Sequence, residues 1–198
     1  MASNRVERKW TVDEYLAYEE ESEIKHEYID GDIFAMSGGT NNHSGIIANI
    51  TVEIGTQIRG SNCIIRTSDL RVKINDLRYV YPDLSVICGK PTFDDEKRTT
   101  LTNPTLVVEV TSPSSKNYDI TTKAEMYFSL ASLQAYLIID QARVSAQLYT
   151  RQDNGWLLQW FKQSDQIIPL PMIKADLPLN EVYRDIVFDS EGDKADGK

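Results

Sequence analysis

The stretch that most narrows what this chain can become is Thr105-Leu-Val-Val-Glu-Val110. A continuous apolar run of this kind reads as a strand buried on both faces, and such a strand needs cover on each side. Glu109 inside it tightens the constraint, because an ionised carboxylate flanked by valines is costly to bury unless it is paired or binds a metal. The chain supplies 198 residues, 41% of them hydrophobic and 26% charged. That is enough for one domain of ~100–200 residues with a core that needs no metal or disulfide staples. Cys63 and Cys88 are too few for a disulfide framework or a four-cysteine zinc site.

Local patterns fill in the surroundings. Thr11-Val-Asp-Glu14 is a capping box, and Val12, Tyr15 and Leu16 give the helix after it an apolar stripe. Asp30-Gly31, between Lys25–Ile29 and Asp32–Met36, predicts a β-hairpin. Ile46, Ile47, Ile50, Ile54 and Ile58 recur at helical spacing from Asn42 or His43 to about Arg59. Strands are predicted at Cys63–Thr67, Leu70–Ile74, Tyr79–Cys88, Ala135–Asp140, Val144–Thr150 and Trp156–Phe161, the last two joined at Asn154-Gly155. Gly89–Asn103 reads as a surface loop. After the Ser112-Pro-Ser-Ser115 break, Asp119 is placed as the N-cap of a helix presenting Ala124, Tyr127, Phe128 and Ala131, and a short helix is expected near Leu179–Tyr183. Tyr127, Phe128 and Trp156 are assigned to the core. The class is α/β or α+β: a mixed sheet with a helix on each side, an N-terminal helix and hairpin, and a C-terminal β elaboration. Residues 1–9 read as an extension, 10–187 as one domain, and 188–198 as an acidic, disordered tail. With no signal-like or membrane-spanning apolar run, the expected location is cytoplasmic, with no membrane partner.

Lys and Arg number 21 against 30 Asp and Glu, a formal charge of −9. This argues against indiscriminate coating of nucleic acid, which draws on excess Lys and Arg at the phosphates. One stretch departs from the average: Arg59, Arg66, Arg71, Lys73, Arg78 and Lys90 face only Asp69, Asp76 and Asp83. It reads equally as a nucleic-acid cleft or as a salt-bridged surface offsetting the acidic helix around Glu19–Glu23. Arg66, Arg71, Lys73 and Lys116 are the candidate nucleic-acid contacts.

A Gly-rich phosphate loop and a Gly-x-Ser-x-Gly elbow are both missing, and two histidines exclude a histidine-rich metal site. What remains is carboxylates and a lysine. Asp83 follows Pro82 at the head of one apolar strand, Glu109 sits inside the next, and pairing of the two strands would bring the carboxylates together. Two like charges there would repel, and one pKa would rise strongly unless a cation sat between them; a hard divalent ion takes oxygen ligands of this kind. Lys123 would point at the same spot from the following helix. The bland alternatives are a solvated Asp83, a buried pairing of Glu109 with a base such as Lys73, and a snorkelling Lys123.

Pro82-Asp83, Glu109 and a following lysine resemble the PD-(D/E)xK nuclease superfamily. His26-Glu-Tyr-Ile-Asp-Gly31, Tyr81-Pro-Asp83, Val107-Val-Glu-Val-Thr-Ser-Pro-Ser114 and Tyr118-Asp119 with Lys123 resemble one branch of it, the restriction endonucleases of the Uma-two family, from roughly Trp10 to Tyr183. The superfamily pattern would put lysine two residues after Glu109, where this chain has Thr111; the branch resemblance assigns that role to Lys123. The resemblance implies a restriction-endonuclease-like core, Mg²⁺ or Mn²⁺ dependence, a DNA substrate and a homodimer. It makes Asp83, Glu109 and Lys123 catalytic, with Asp83, Glu109 and the Val110 carbonyl as metal ligands. Glu27, His43 and Asp119 are auxiliary candidates. The expected activity is metal-assisted phosphodiester hydrolysis. Its rivals are a catalytically silent nucleic-acid-binding or interaction protein of the same fold, and hydrolysis of a small phosphodiester.

Overall fold

The computed structural model describes residues 9–36, 38–112 and 116–188. The extension before Lys9, residues 113–115 of the Ser-Pro-Ser-Ser break and the acidic tail from 189 onward lie outside the described residues.

Helix α1 (Val12–Glu21) starts at the expected capping box: Glu14 N–H donates to Thr11 Oγ1 at 3.2 Å and Thr11 N–H to Glu14 Oε2 at 2.9 Å. Strands β1 (His26–Ile29) and β2 (Asp32–Ala35) form the hairpin, with Asp30 and Gly31 at φ 52° and 93°. Both turn residues sit in the left-handed region that a two-residue hairpin turn demands. Helix α2 (Asn41–Gln57) is N-capped by Thr40 and buries Ile46, Ile50 and Ile54 completely. Their β-branching costs at most ~0.7 kcal/mol each in helix propensity. Burial returns ~1.5–3 kcal/mol per side chain, so packing decides the helix.

The expected strand Tyr79–Cys88 is in fact two. Strands β3 (Cys63–Thr67), β4 (Arg71–Asn75) and β5 (Arg78–Val80) are followed by a break at Tyr81-Pro82-Asp83 and then β6 (Leu84–Cys88). Pro82 has no N–H to continue a ladder. The chain therefore leaves one sheet and enters another there, and Asp83 stands at the crossing. The expected loop over 89–103 also carries a short strand, β7 (Thr100–Leu101), parallel to β4 with Leu101 fully buried. Two residues of ladder are too few for any periodicity to show.

Strand β8 (Leu106–Thr111) is buried at all six positions, at the centre of the larger sheet. Beyond it come helix α3 (Lys116–Tyr118), a π-helical turn (Asp119–Lys123), helix α4 (Ala124–Phe128), and strands β9 (Ala135–Asp140), β10 (Ala146–Gln152) and β11 (Gly155–Phe161). That sheet runs β11-β10-β9-β8-β6-β3, with β8 parallel to β9 and its other neighbours antiparallel. A second sheet runs β2-β1-β5-β4-β7. Asp119 is not an N-cap, since the chain is helical from Lys116, and Ala131 falls beyond the helix and is exposed. The β10–β11 turn residues are Asp153 and Asn154, one position earlier than expected, with Gly155 already paired to Gln152. A third pair, β12 (Ile167–Leu170) and β13 (Ala175–Pro178), leads into α5 (Leu179–Val182).

Alternation along β8 divides the core. Leu106, Val108 and Val110 pack with the isoleucines of α2 and with Leu170, Leu177 and Val182 of the C-terminal elaboration. Val107 packs on the other face with Met126, Tyr127, Tyr136 and Ile138. Glu109 shares the face of Val107. The result is a mixed α+β architecture with helices on both faces of a mixed sheet. Cys63 and Cys88, too few for a disulfide framework, face each other in the β3–β6 register and are joined by a single disulfide.

Candidate active site

The β6–β8 register pairs Leu84 with Val108, which sets Asp83 opposite Glu109. Asp83 N–H lies 3.4 Å from Glu109 Oε2, and Val110 N–H donates to Asp83 Oδ2 at 2.7 Å. Lys123 reaches the same place from the π-helical turn, with Nζ 3.1 Å from Glu109 Oε1. The wider turn of a π-helix lets Asp119 and Lys123 both face inward, and such turns recur at functional sites. Asp83, Glu109 and Lys123 thus converge, as the sequence predicts.

Two auxiliary candidates join them closely. Glu27, on β1, accepts from Lys123 Nζ at 2.9 Å and from Tyr81 N–H at 3.2 Å. His43, in the first turn of α2, has Nε2 3.2 Å from Asp83 Oδ2. Asp119 Oδ1 is farther out, 3.9 Å from Lys123 Nζ. Tyr127 is a participant that sequence reasoning missed. It is core, as expected, but its hydroxyl also donates to Glu109 Oε1 at 2.8 Å. The available signal was its position one turn after Lys123, on the same helix face.

Four carboxylates thus crowd one ammonium and one imidazole. Burial pushes the Glu109 carboxyl up to about 8, with Asp83, Asp119 and Glu27 adding to the rise and Lys123 opposing it. Burial alone would lower Lys123, but Glu109, Glu27 and Asp119 hold it well above its ordinary value, so it stays charged. The hydrogen bond to Asp83 raises His43 against the opposing effect of burial. The cluster is short of positive charge, and this adds to the effect of burial on the Glu109 carboxyl. Among the described residues no three His, Cys, Asp or Glu side chains are grouped to hold a metal. A divalent cation at this centre would rest on the Asp83 and Glu109 carboxylates with the Val110 carbonyl. These are oxygen donors in a negative setting, which suits a hard ion that keeps several waters.

The expected nucleic-acid contacts do not gather here. Arg71 is only 6% exposed, donates twice to Thr100 Oγ1, and lies beside the rings of Tyr15, Tyr79 and Tyr81. It is a core residue, and its assignment as a DNA contact is corrected. Lys73 pairs with Asp94 at 2.9 Å and Asp76 at 3.0 Å, not with Glu109. Lys116 pairs with Asp140 at 2.7 Å. Arg66 is exposed and turns back to the Ile65 carbonyl. For Arg71, Lys73 and Arg78, which pairs with Asp30, the salt-bridged or packed reading of the basic stretch prevails. A cleft of about 570 Å³ opens beside Asp83 and His43, bounded by Lys25, Met36, Gly39, Ser44 and Ile47 among others.

Known proteins are similar to this chain. An uncharacterized Synechocystis protein, slr1290, is 38% identical over 183 residues, 91% of this chain and 94% of its own length. A second from the same organism, sll1609, is 35% identical over 150 residues, 75% of this chain and 85% of its own. A crystal structure from Anabaena variabilis, titled a "putative nuclease belonging to DUF820", superposes with a TM-score of 0.73 at 22% identity, covering 87% of this chain and 97% of that one. That likeness establishes the restriction-endonuclease-like fold. The model of the Uma2 family, described as "Putative restriction endonuclease", matches residues 12–180. With the match running from α1 through α5, the chain belongs to the Uma2 family.

Proposed function

We propose that this protein is a metal-dependent endonuclease that hydrolyses phosphodiester bonds in DNA. The observation that carries the reading is the meeting of Asp83 and Glu109 from adjacent strands with Lys123 from the following helical turn. Mg²⁺ or Mn²⁺ held by Asp83, Glu109 and the Val110 carbonyl would polarise a phosphoryl oxygen and lower the pKa of a bound water. The chain's own groups do the rest. Lys123, kept protonated by its three carboxylate neighbours, orients a water or meets the charge that develops on the phosphate. Glu27 holds the Lys123 ammonium in place as a second close carboxylate beside Glu109. Tyr127 holds one Glu109 oxygen and leaves the other facing Asp83. His43 orients Asp83 and borders the cleft.

The reading extends to a cytoplasmic homodimer, a two-fold pair being the commonest closed assembly of identical chains. Leu157, Leu158 and Trp160 are exposed on edge strand β11, an apolar face that a second copy could cover. Among the described residues no helix is long and apolar enough to cross a membrane.

The test is cleavage of labelled DNA by wild type, Asp83→Ala and Glu109→Ala, with Mg²⁺, Mn²⁺ or EDTA. Metal-dependent cleavage by wild type, lost in both variants, is expected. Binding that survives both substitutions, with no cleavage by wild type at any metal, overturns the reading in favour of a silent nucleic-acid-binding protein.

A further inference from the structure

The hairpin that delivers Glu27 also delivers an aromatic ring. Phe34 on β2 pairs directly with Glu27 on β1, so the two side chains stand on one face of the hairpin. Glu27 is buried against Lys123, whereas Phe34 is 51% exposed at the edge of its sheet. The ladder continues past the strand end, with Met36 N–H donating to the Lys25 carbonyl at 2.8 Å. Met36, two residues on from Phe34, therefore shares that face, and Met36 and Lys25 both border the cleft beside Asp83. An exposed ring thus stands just outside the cleft, on the hairpin face it shares with Met36 and Glu27.

The cleft is small, and Lys25 on its wall is already paired. Its volume of about 570 Å³ falls within the ~300–1,000 Å³ of sites that enclose a small ligand. Ile24, Met36 and Ile47 give it apolar walls. Lys25 is held by Asp69 at 2.7 Å, and Lys97, Lys73 and Lys116 are held by Glu20, Asp94 and Asp140. Duplex binding draws on several Lys and Arg that are free to replace counterions at phosphates. An unpaired base needs only a π-face to stack on, and apolar walls suit it.

We propose that the cleft takes an unpaired stretch of DNA with one base stacked on Phe34, so that the substrate is single-stranded DNA rather than intact duplex. This rests on the nuclease reading and names its substrate class. Phe34 positions the strand and takes no part in the chemistry.

The test is fluorescence anisotropy of a short labelled single strand and of its duplex, in EDTA, with wild type, Phe34→Ala and Phe34→Trp. Wild type is expected to bind the single strand more tightly than the duplex. Phe34→Ala should weaken single-strand binding about 5- to 150-fold, the equivalent of one stacked base. Phe34→Trp should retain affinity and show tryptophan quenching when the strand binds. Tighter duplex binding, or a Phe34→Ala variant as good as wild type on the single strand, overturns the inference. Duplex cleavage that is as fast as single-strand cleavage and indifferent to Phe34→Ala overturns the inference but leaves the nuclease reading intact. If wild type cleaves no DNA at all, the nuclease reading falls, and the binding comparison still decides whether Phe34 holds an unpaired base.

Discussion

Replacing Lys123 by Met keeps most of the side-chain volume and deletes the one ammonium among Glu27, Glu109 and Asp119. Removing one partner of a buried ion pair costs about 3–5 kcal/mol, because the other charge stays buried without compensation. Here the two close partners respond differently. Glu109, already pushed up to about 8, escapes most of the penalty by staying protonated at neutral pH. Glu27, whose side chain is 8% exposed and whose Oε1 is 2.9 Å from Nζ, keeps only the 3.2 Å Tyr81 N–H and bears most of the cost. The expected loss is therefore toward the lower end, about 3 kcal/mol. For a chain of this size each kcal/mol shifts Tm by about 2–4 °C, so Tm should fall by about 6–12 °C. Neutralising Glu27 in Lys123→Met/Glu27→Gln should recover more than half of the loss. The assay is thermal and urea unfolding of wild type, the single and the double variant at neutral pH. A single variant within about 0.5 kcal/mol of wild type, as for an ordinary surface change, would refute the electrostatic account. So would a double variant that falls further rather than recovering.

Other consequences follow from the same geometry. Because the native Glu109 carboxyl is raised from 4.5 to about 8, the folded state binds more protons than the unfolded state between those values, and stability should fall as pH rises through that window. Glu109→Gln should flatten the slope of Tm between pH 5 and pH 9. A remainder should persist from His43, whose raised value gives stability below pH 6.5 that is lost as pH climbs past its native value. Wild type and variant with the same slope would contradict this. Tyr127→Phe removes a buried hydrogen bond to Glu109 and should cost about 1–3 kcal/mol in urea unfolding; a change under about 0.5 kcal/mol would mean the hydroxyl is idle. The Cys63–Cys88 disulfide spans a sequence separation of 25, so reduction should cost about 3.5 kcal/mol. An unchanged Tm in dithiothreitol would show that the bond does not constrain the chain.

Much of the scaffold was legible because its signals are local. The Thr11 capping box, the Asp30-Gly31 turn and the isoleucine spacing of α2 each involve residues within a turn or two of one another. Glu109 could be singled out for a similar reason: a carboxylate between valines carries its energetic problem in the string itself. Asp83, Glu109 and Lys123 were then gathered by family resemblance, with Thr111 standing where a lysine would be expected. The strand expected over Tyr79–Cys88 failed because hydrophobicity continues across Pro82 while hydrogen bonding does not, and the two halves serve different sheets.

The amino-acid string by itself determined most of the helices and strands, that a central strand carries a carboxylate needing a partner, and which residue types are available to answer it. Tertiary structure alone decided the partners. Whether Lys73 or Lys123 meets Glu109, whether Arg71 faces phosphate or tyrosine rings, and whether Cys63 finds Cys88 depend on register and on which elements cross. Those choices are made between residues far apart in sequence, where a charge cannot be buried until its counter-charge arrives from another strand.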